Sequence, residues 1–161
     1  MTSGMPSLVT RRAGAEDAPR IAELVNRAFR VEEFFVEGDR TSEGDVAAML
    51  SRGSFLLAEE DGTLLAAVYV EVKGPRGYFG LLSVEPSRQG QGLGRLLVEA
   101  AEAHCRAAGC QAIDIRVVDL RSELPPYYRR LGYREGGSEP FPEQVRTKLP
   151  CRFVIMSKAL A

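Results

Sequence analysis

Leu81-Leu82-Ser83-Val84-Glu85-Pro86-Ser87-Arg88-Gln89-Gly90-Gln91-Gly92-Leu93-Gly94-Arg95-Leu96-Leu97 is the stretch whose reading decides the fold. An apolar run stops at a proline. A turn with glycine at every second position follows, and a long helical pattern begins. Gly90, Gly92 and Gly94 lack Cβ, so a ligand can approach the backbone closely and unusual φ values cost little. The turn delivers the chain into a helix start, whose first N–H groups have no intrahelical partner. Together these features make a site for an anion, with phosphate the best fit.

Working outward, the helix runs from about Gly92 to Ala108. Leu93, Leu96, Leu97, Ala100, Ala101, His104, Cys105 and Ala108 line one face. Arg95 with Glu99, and Glu102 with Arg106, are i, i+4 pairs on the other. Gly109 is the natural C-cap. Upstream, Leu8 to Arg12 reads as a first strand. A helix follows with Asp17 as N-cap, Pro19 in its first turn, and Ile21, Leu24, Val25, Ala28 and Phe29 on one face. Ser42 with Asp45 starts a second short helix ending near Gly53, with Val46, Met49 and Leu50 as its apolar face. Phe55–Glu59 and Leu64–Val72 are strands around Asp61-Gly62, the strongest hairpin signal in the chain. A turn at Lys73-Gly74-Pro75 leads to the strand Tyr78–Glu85. Downstream come a strand over Gln111–Val118 and a short helix over Ser122–Leu131 that Gly132 ends. Another strand begins at Tyr133, Ser138 to Pro150 is a loop, and Arg152–Ser157 is the last strand. The expected fold class is α/β (α+β): a mixed, mostly antiparallel sheet of about six to seven strands flanked by about four helices.

Composition bounds the function. The chain has 161 residues, a length that suits one domain with a substantial core. A net charge of −1 gives no basic field for nucleic acid or an anionic membrane. Met1–Ser7 has no basic region leading into an apolar one, so no signal peptide is expected. The longest apolar run, Leu64 to Val70, is too short to span a bilayer. Cys105, Cys110 and Cys151 lie in apolar patterns and read as reduced, buried thiols of a cytoplasmic protein. One histidine and no Cys-x-x-Cys pair argue against a metal site. His104 sits on an apolar helix face well past the loop and reads as structural.

The glycine turn is neither of the two familiar phosphate loops. No lysine stands where a Walker A loop needs one. Neither Gly90-x-Gly92 nor Gly92-x-Gly94 has a glycine three places on, and the turn follows the fourth strand, not the first. What fits is Gln89-x-x-Gly92-x-Gly94 between a strand and a long helix. This resembles the Gln/Arg-x-x-Gly-x-Gly/Ala motif of the GNAT superfamily of N-acetyltransferases. Tyr128-Arg129-Arg130-Leu131-Gly132-Tyr133 is similar to that family's Tyr-x-x-x-Gly-Phe/Tyr segment, and the element order matches along nearly the whole chain.

The resemblance implies a single acetyl-CoA-dependent N-acetyltransferase domain over residues 1–161. It implies that the pyrophosphate of acetyl-CoA lies on the amides of Gln89, Gly90, Gln91, Gly92, Leu93, Gly94 and Arg95. It also implies that the pantetheine arm pairs with the backbone of Leu82, Ser83 and Val84, an edge-strand mode of binding. Tyr128 matches the tyrosine that donates a proton to the leaving thiolate; Tyr127, about 100° round the helix, is expected to face elsewhere. Two positions depart from the family pattern. Tyr78-Phe79-Gly80 stands where many relatives carry a glutamate base, which leaves Glu85, Glu71 or water. Arg121 stands where many carry asparagine.

The implied activity is transfer of an acetyl group to a primary amine of a small molecule, by direct attack in a ternary complex. The alternatives are transfer to a protein N-terminus, transfer of another acyl group, and a non-catalytic acyl-CoA-binding sensor. Glu32, Glu33, Glu37 and Asp39 form an acidic cluster where the family builds its acceptor wall, suited to attracting a cationic amine. No nucleic-acid or membrane partner is expected, and the oligomeric state, homodimer included, stays open.

Overall fold

The computed structural model describes residues 8–143 and 145–160, so the expectation about Met1–Ser7 lies outside the described residues. The chain runs β1 (Leu8–Arg12), α1 (Ala18–Ala28), α2 (Glu43–Leu50), β2 (Ser54–Glu60), β3 (Thr63–Lys73), β4 (Arg76–Val84), α3 (Leu93–Ala107), β5 (Ala112–Val118), α4 (Leu124–Arg130), β6 (Arg134–Pro140) and β7 (Arg152–Ala159). The seven strands form one sheet in the order β1-β2-β3-β4-β5-β7-β6. All neighbours are antiparallel except β4 and β5. The parallel pair is where α3 crosses over, as a strand–helix–strand unit requires. Among the described residues no helix is long and apolar enough to cross a membrane.

The local reasons are mostly those of the sequence. Asp61 and Gly62 both take positive φ, 51° and 81°, the geometry of the tight turn that matches strand twist. Ser42 caps α2, its hydroxyl accepting from the Asp45 N–H at 3.1 Å. α3 lays Leu93, Leu97, Val98, Ala101 and Cys105 on one face of the sheet, against Val68, Phe79, Ile113 and Ile115. α1 lays Ile21, Leu24 and Val25 on the other, against Phe55, Leu57 and Tyr69. Each buried Leu, Ile or Val among these contributes about 1.5–3 kcal/mol. Gly77 has a packing reason: a Cβ there would run into Cys105 Sγ.

Several expectations need correction. Asp17 directly precedes α1, but its carboxylate does not cap that helix. It accepts from the Gly14 N–H at 2.8 Å and from Arg11 and Arg20, which tie β1 to α1. Glu102 has Arg106 at 3.9 Å as its i, i+4 partner, but it is buried and not on an outer face of the helix. It is 4% exposed and accepts from Tyr133 Oη at 2.8 Å and Lys158 Nζ at 3.1 Å. Cys105 and Cys110 are buried, whereas Cys151 is only half-buried. Residues 138–140 belong to β6, not to a loop, because they pair with Arg152–Val154 of β7. Pro140 is tolerated there because β6 is an edge strand.

β4 is irregular along the stretch that borders the site. The register of β3 on β4 passes from Ala67↔Ser83 to Tyr69↔Gly80, so Leu81 and Leu82 together oppose Val68. This is a β-bulge, and Leu81 takes φ 52° to make it. β4 meets β5 only over Arg76–Tyr78, paired with Ala112–Asp114. Beyond Tyr78 the two strands part.

Candidate active site

The parted strands open a cavity of about 730 Å³. Its walls are β4 and β5, its one end is the glycine turn, and its other is the segment between α1 and α2. Tyr127 and Tyr128 of α4 complete it.

At the turn, Gly90 and Gly92 take φ 80° and 83°, and a Cβ on either would meet open space. Glycine is needed there for backbone conformation, not for room. Leu96 N–H donates to Gly92 O, the first bond of α3. Among the described residues, no hydrogen bond outside helices and strands is donated by a backbone N–H from Gln89 to Arg95. These amides are therefore a row of unpaired donors at the positive end of a fifteen-residue helix. Gln89, Gly90, Gly92, Leu93, Gly94 and Arg95 line the cavity; Gln91 does not, its Oε1 accepting from Arg88 Nε at 2.9 Å. Arg95 is paired with Glu99 at 3.1 Å, and both are well exposed, so the pair holds the arginine weakly.

Along β4, Leu82 and Val84 line the cavity. Ser83 between them is 1% exposed and donates its hydroxyl to Leu81 O, as strand alternation requires. Among the described residues, the backbone edge of Phe79–Val84 that faces the cavity has no strand partner.

Tyr128 is 7% exposed, its ring set among those of Phe79, Tyr127 and Tyr133 at centroid distances of 6.0, 5.1 and 5.9 Å. Among the described residues its hydroxyl has no hydrogen-bond partner, yet no described side-chain oxygen is both buried and unpartnered. The hydroxyl therefore keeps contact with the cavity. Burial raises its pKa above the ordinary phenol value, so it stays protonated. Tyr127 does not face elsewhere. It lines the cavity too, with its hydroxyl 3.1 Å from where a Cβ on Gly94 would stand.

Neither carboxylate considered as a base in the neighbouring strands reaches the cavity. Glu85 accepts from Arg27 at 2.8 Å, and Glu71 from the Tyr69 hydroxyl, with Lys73 at 3.1 Å. Neither lines the space. The acidic cluster also disperses: Glu33, Glu37 and Asp39 are exposed, and Glu32 alone turns inward, 6% exposed. Glu32 Oε2 accepts from Arg121 Nη1 at 3.0 Å, and Arg121 Nε donates to Glu123 at 2.9 Å. Burial raises the Glu32 pKa, while Arg40 and Arg121 pull it back. The Glu32–Arg121 pair joins the α1–α2 segment to the β5–α4 loop. A bridge between Val36 and Thr147 joins the same segment to the β6–β7 loop. Both links were invisible in the sequence, which offers no spacing signal for partners so far apart along the chain. His104 does not line the cavity; burial lowers its pKa, and nearby Arg12 adds to this.

Known proteins resemble this chain in sequence and in fold. The family described as acetyltransferase (GNAT) family matches residues 18–133. A mycothiol acetyltransferase from Propionibacterium freudenreichii subsp. shermanii is 33% identical over 85 residues, covering 50% of this chain and 27% of that protein. The chain thus matches only about a quarter of that relative. Among solved structures, the ribosomal-protein-S18-alanine N-acetyltransferase from Escherichia coli superposes with TM-score 0.76 at 19% identity, covering 96% of this chain and 95% of that one. The structure of yncA from Salmonella typhimurium with its cofactor acetyl-CoA gives TM-score 0.74 at 19% identity, covering 96% and 94%. At such identities the structures speak for the fold alone. The family match over most of the chain goes further, and brings acetyl-CoA with it as cosubstrate: the protein belongs to the acetyltransferase (GNAT) family.

Proposed function

We propose that this chain, acting as one domain, transfers the acetyl group of acetyl-CoA to a primary amine of a small molecule within a ternary complex. The observation that carries the reading is the coincidence, in one cavity, of unpaired loop amides, an unpaired β4 edge and the Tyr128 hydroxyl. The amides from Gln89 to Arg95 hold the pyrophosphate. The backbone of Leu82, Ser83 and Val84 pairs with the pantetheine arm, which sets the reach of the thioester. Arg130, which lines the cavity near Tyr127, adds a cation at the same end.

The rate gain comes mainly from holding amine and thioester together. The amine nitrogen forms a bond to the carbonyl carbon, the carbon–sulfur bond breaks, and Tyr128 gives its proton to the departing sulfur. A phenol raised above its ordinary pKa is a weak acid, yet a thiolate with a conjugate pKa of about 8.5 needs little help. The proton shed by the amine leaves through water in the cavity and restores the tyrosine. The ties that the α1–α2 segment makes to the β5–α4 and β6–β7 loops wall the acceptor end, which favours a small amine over a polypeptide.

The test is an amine panel with acetyl-CoA, following CoA thiol release and the mass of each amine. Matched release of thiol and gain of one acetyl group supports the reading. Binding of acetyl-CoA without either contradicts it and leaves a sensor.

A further inference from the structure

The acceptor end of the cavity carries a charge the reaction itself does not use. Among the described residues two cavity arginines have no carboxylate in salt-bridge contact. Arg130 stands at the loop end with Arg95, both near Tyr127. Arg40 stands at the other end, in the α1–α2 wall. Its guanidinium lies 5.5 Å from the Phe29 ring centroid. Among the described residues its N–H groups have no hydrogen-bond acceptor, and an arginine fork can take a carboxylate with two parallel bonds. Arg116 and Arg121, the other arginines on this side, are already engaged by Glu139 at 2.7 Å and by Glu32 and Glu123.

Glu32 supplies the complement. Its Oε2 is taken by Arg121, and among the described residues no donor reaches its Oε1. No described side-chain oxygen is both buried and unpartnered, so Oε1 retains contact with open space. Arg40 is near enough for its charge to lower the Glu32 pKa, yet the two are not in salt-bridge contact, so this end suits a molecule that brings the opposite pair of charges to them.

Resting on the acetyl-transfer reading, we propose that the acceptor is an amine that also bears a carboxylate, an amino acid in the chemical sense. Arg40 takes the acceptor's carboxylate. Glu32 Oε1 accepts from its nitrogen and turns the lone pair toward the thioester. An acidic wall that merely attracts cations is thereby replaced by a site that reads both ends of a zwitterion. Hydrogen bonds to charged groups of this kind discriminate by about ten- to a hundredfold.

The experiment compares α-, β- and γ-amino acids, each against its own carboxamide, at equal concentrations of free base with saturating acetyl-CoA. The wild type should turn over at least one amino acid with kcat/KM about ten- to a hundredfold above its amide. Arg40→Gln should bring that ratio to within about threefold of unity, and Arg40→Lys should restore part of it. Because the readout is a ratio within one enzyme, partial loss of folded protein does not move it. A wild-type ratio near unity, or a ratio kept in Arg40→Gln, overturns the inference. So does failure of every amino acid both to react and to bind the protein–CoA complex in calorimetry. If the amides are acetylated regardless, the inference falls and the transferase reading stands. If acetyl-CoA itself fails to bind, both fall.

Discussion

Tyr128→Phe removes one oxygen from the cavity and little else. The ring keeps its contacts with Phe79, Tyr127 and Tyr133. The lost hydroxyl has no partner among the described residues, so no buried donor or acceptor is orphaned. Stability should therefore change by less than about 1 kcal/mol, and Tm by less than about 4 °C. The kinetic effect should be larger. General acid catalysis contributes about 10²–10⁴ in rate, and a good leaving thiolate draws on the low end of that range. We expect kcat to fall about ten- to a thousandfold, which is about 1.4–4 kcal/mol of transition-state stabilisation. KM for acetyl-CoA should move little, because backbone amides carry the binding. Tyr127→Phe is the comparator. Its hydroxyl lies against the first turn of α3, so its loss should raise KM for acetyl-CoA a few-fold and spare kcat. The assay is initial-rate thiol release over both substrates, with circular dichroism and melting on each variant. A Tyr128→Phe enzyme with wild-type kcat would refute the proton-donor role. A collapse of kcat in Tyr127→Phe instead would move that role one residue upstream.

Two further outcomes follow from the charges. The rate should rise with pH as the acceptor amine loses its proton, and Tyr128 should impose no falling limb below about pH 10, because burial raises its pKa; a fall near pH 8 that disappears in Tyr128→Phe would contradict this. Asp17 is held below the usual carboxylate range by its bonds from Arg11 first, then Arg20 and Gly14, against the cost of burial. A depressed folded-state pKa adds stability that is present above about pH 4 and lost as pH falls through the folded value. Asp17→Asn should thus cost about 1–3 kcal/mol at pH 7, and its deficit in urea unfolding should shrink below about pH 4.

What the sequence made legible was whatever depends on local patterning. The hairpin at Asp61-Gly62, the amphipathic faces of α1 and α3, and the glycine turn all follow from short-range rules. Leu81 shows where such rules stop. A leucine with positive φ has no local signature, and the bulge it makes lies on the stretch of β4 that β5 no longer accompanies. Glu102 misled for a related reason: its i, i+4 arginine suggested a surface, but Tyr133 and Lys158, both distant in sequence, hold it inside. The acceptor wall was legible as charge and not as geometry. Four acidic residues stood close in sequence, yet a tight 3₁₀ turn over Phe29–Glu32 sends only Glu32 inward, onto Arg121. Arg40 gained its meaning from having no carboxylate in salt-bridge contact among the described residues while standing near Glu32, which only the folded chain displays.

The account rests most heavily on the glycine turn as the seat of the cosubstrate, and one measurement addresses it directly. CoA is titrated calorimetrically into wild type and into Gly92→Glu, each first shown to be folded. A Cβ at Gly92 meets open space, so the substitution costs about 1 kcal/mol of backbone strain at φ 83° and no clash. It does place a carboxylate among the unpaired amides at the start of α3. The account predicts measurable binding to wild type and at least about a hundredfold weaker binding to the variant, the loss expected when a like charge enters a desolvated anion site. Equal affinities in two folded proteins would remove the turn from the site and contradict the account.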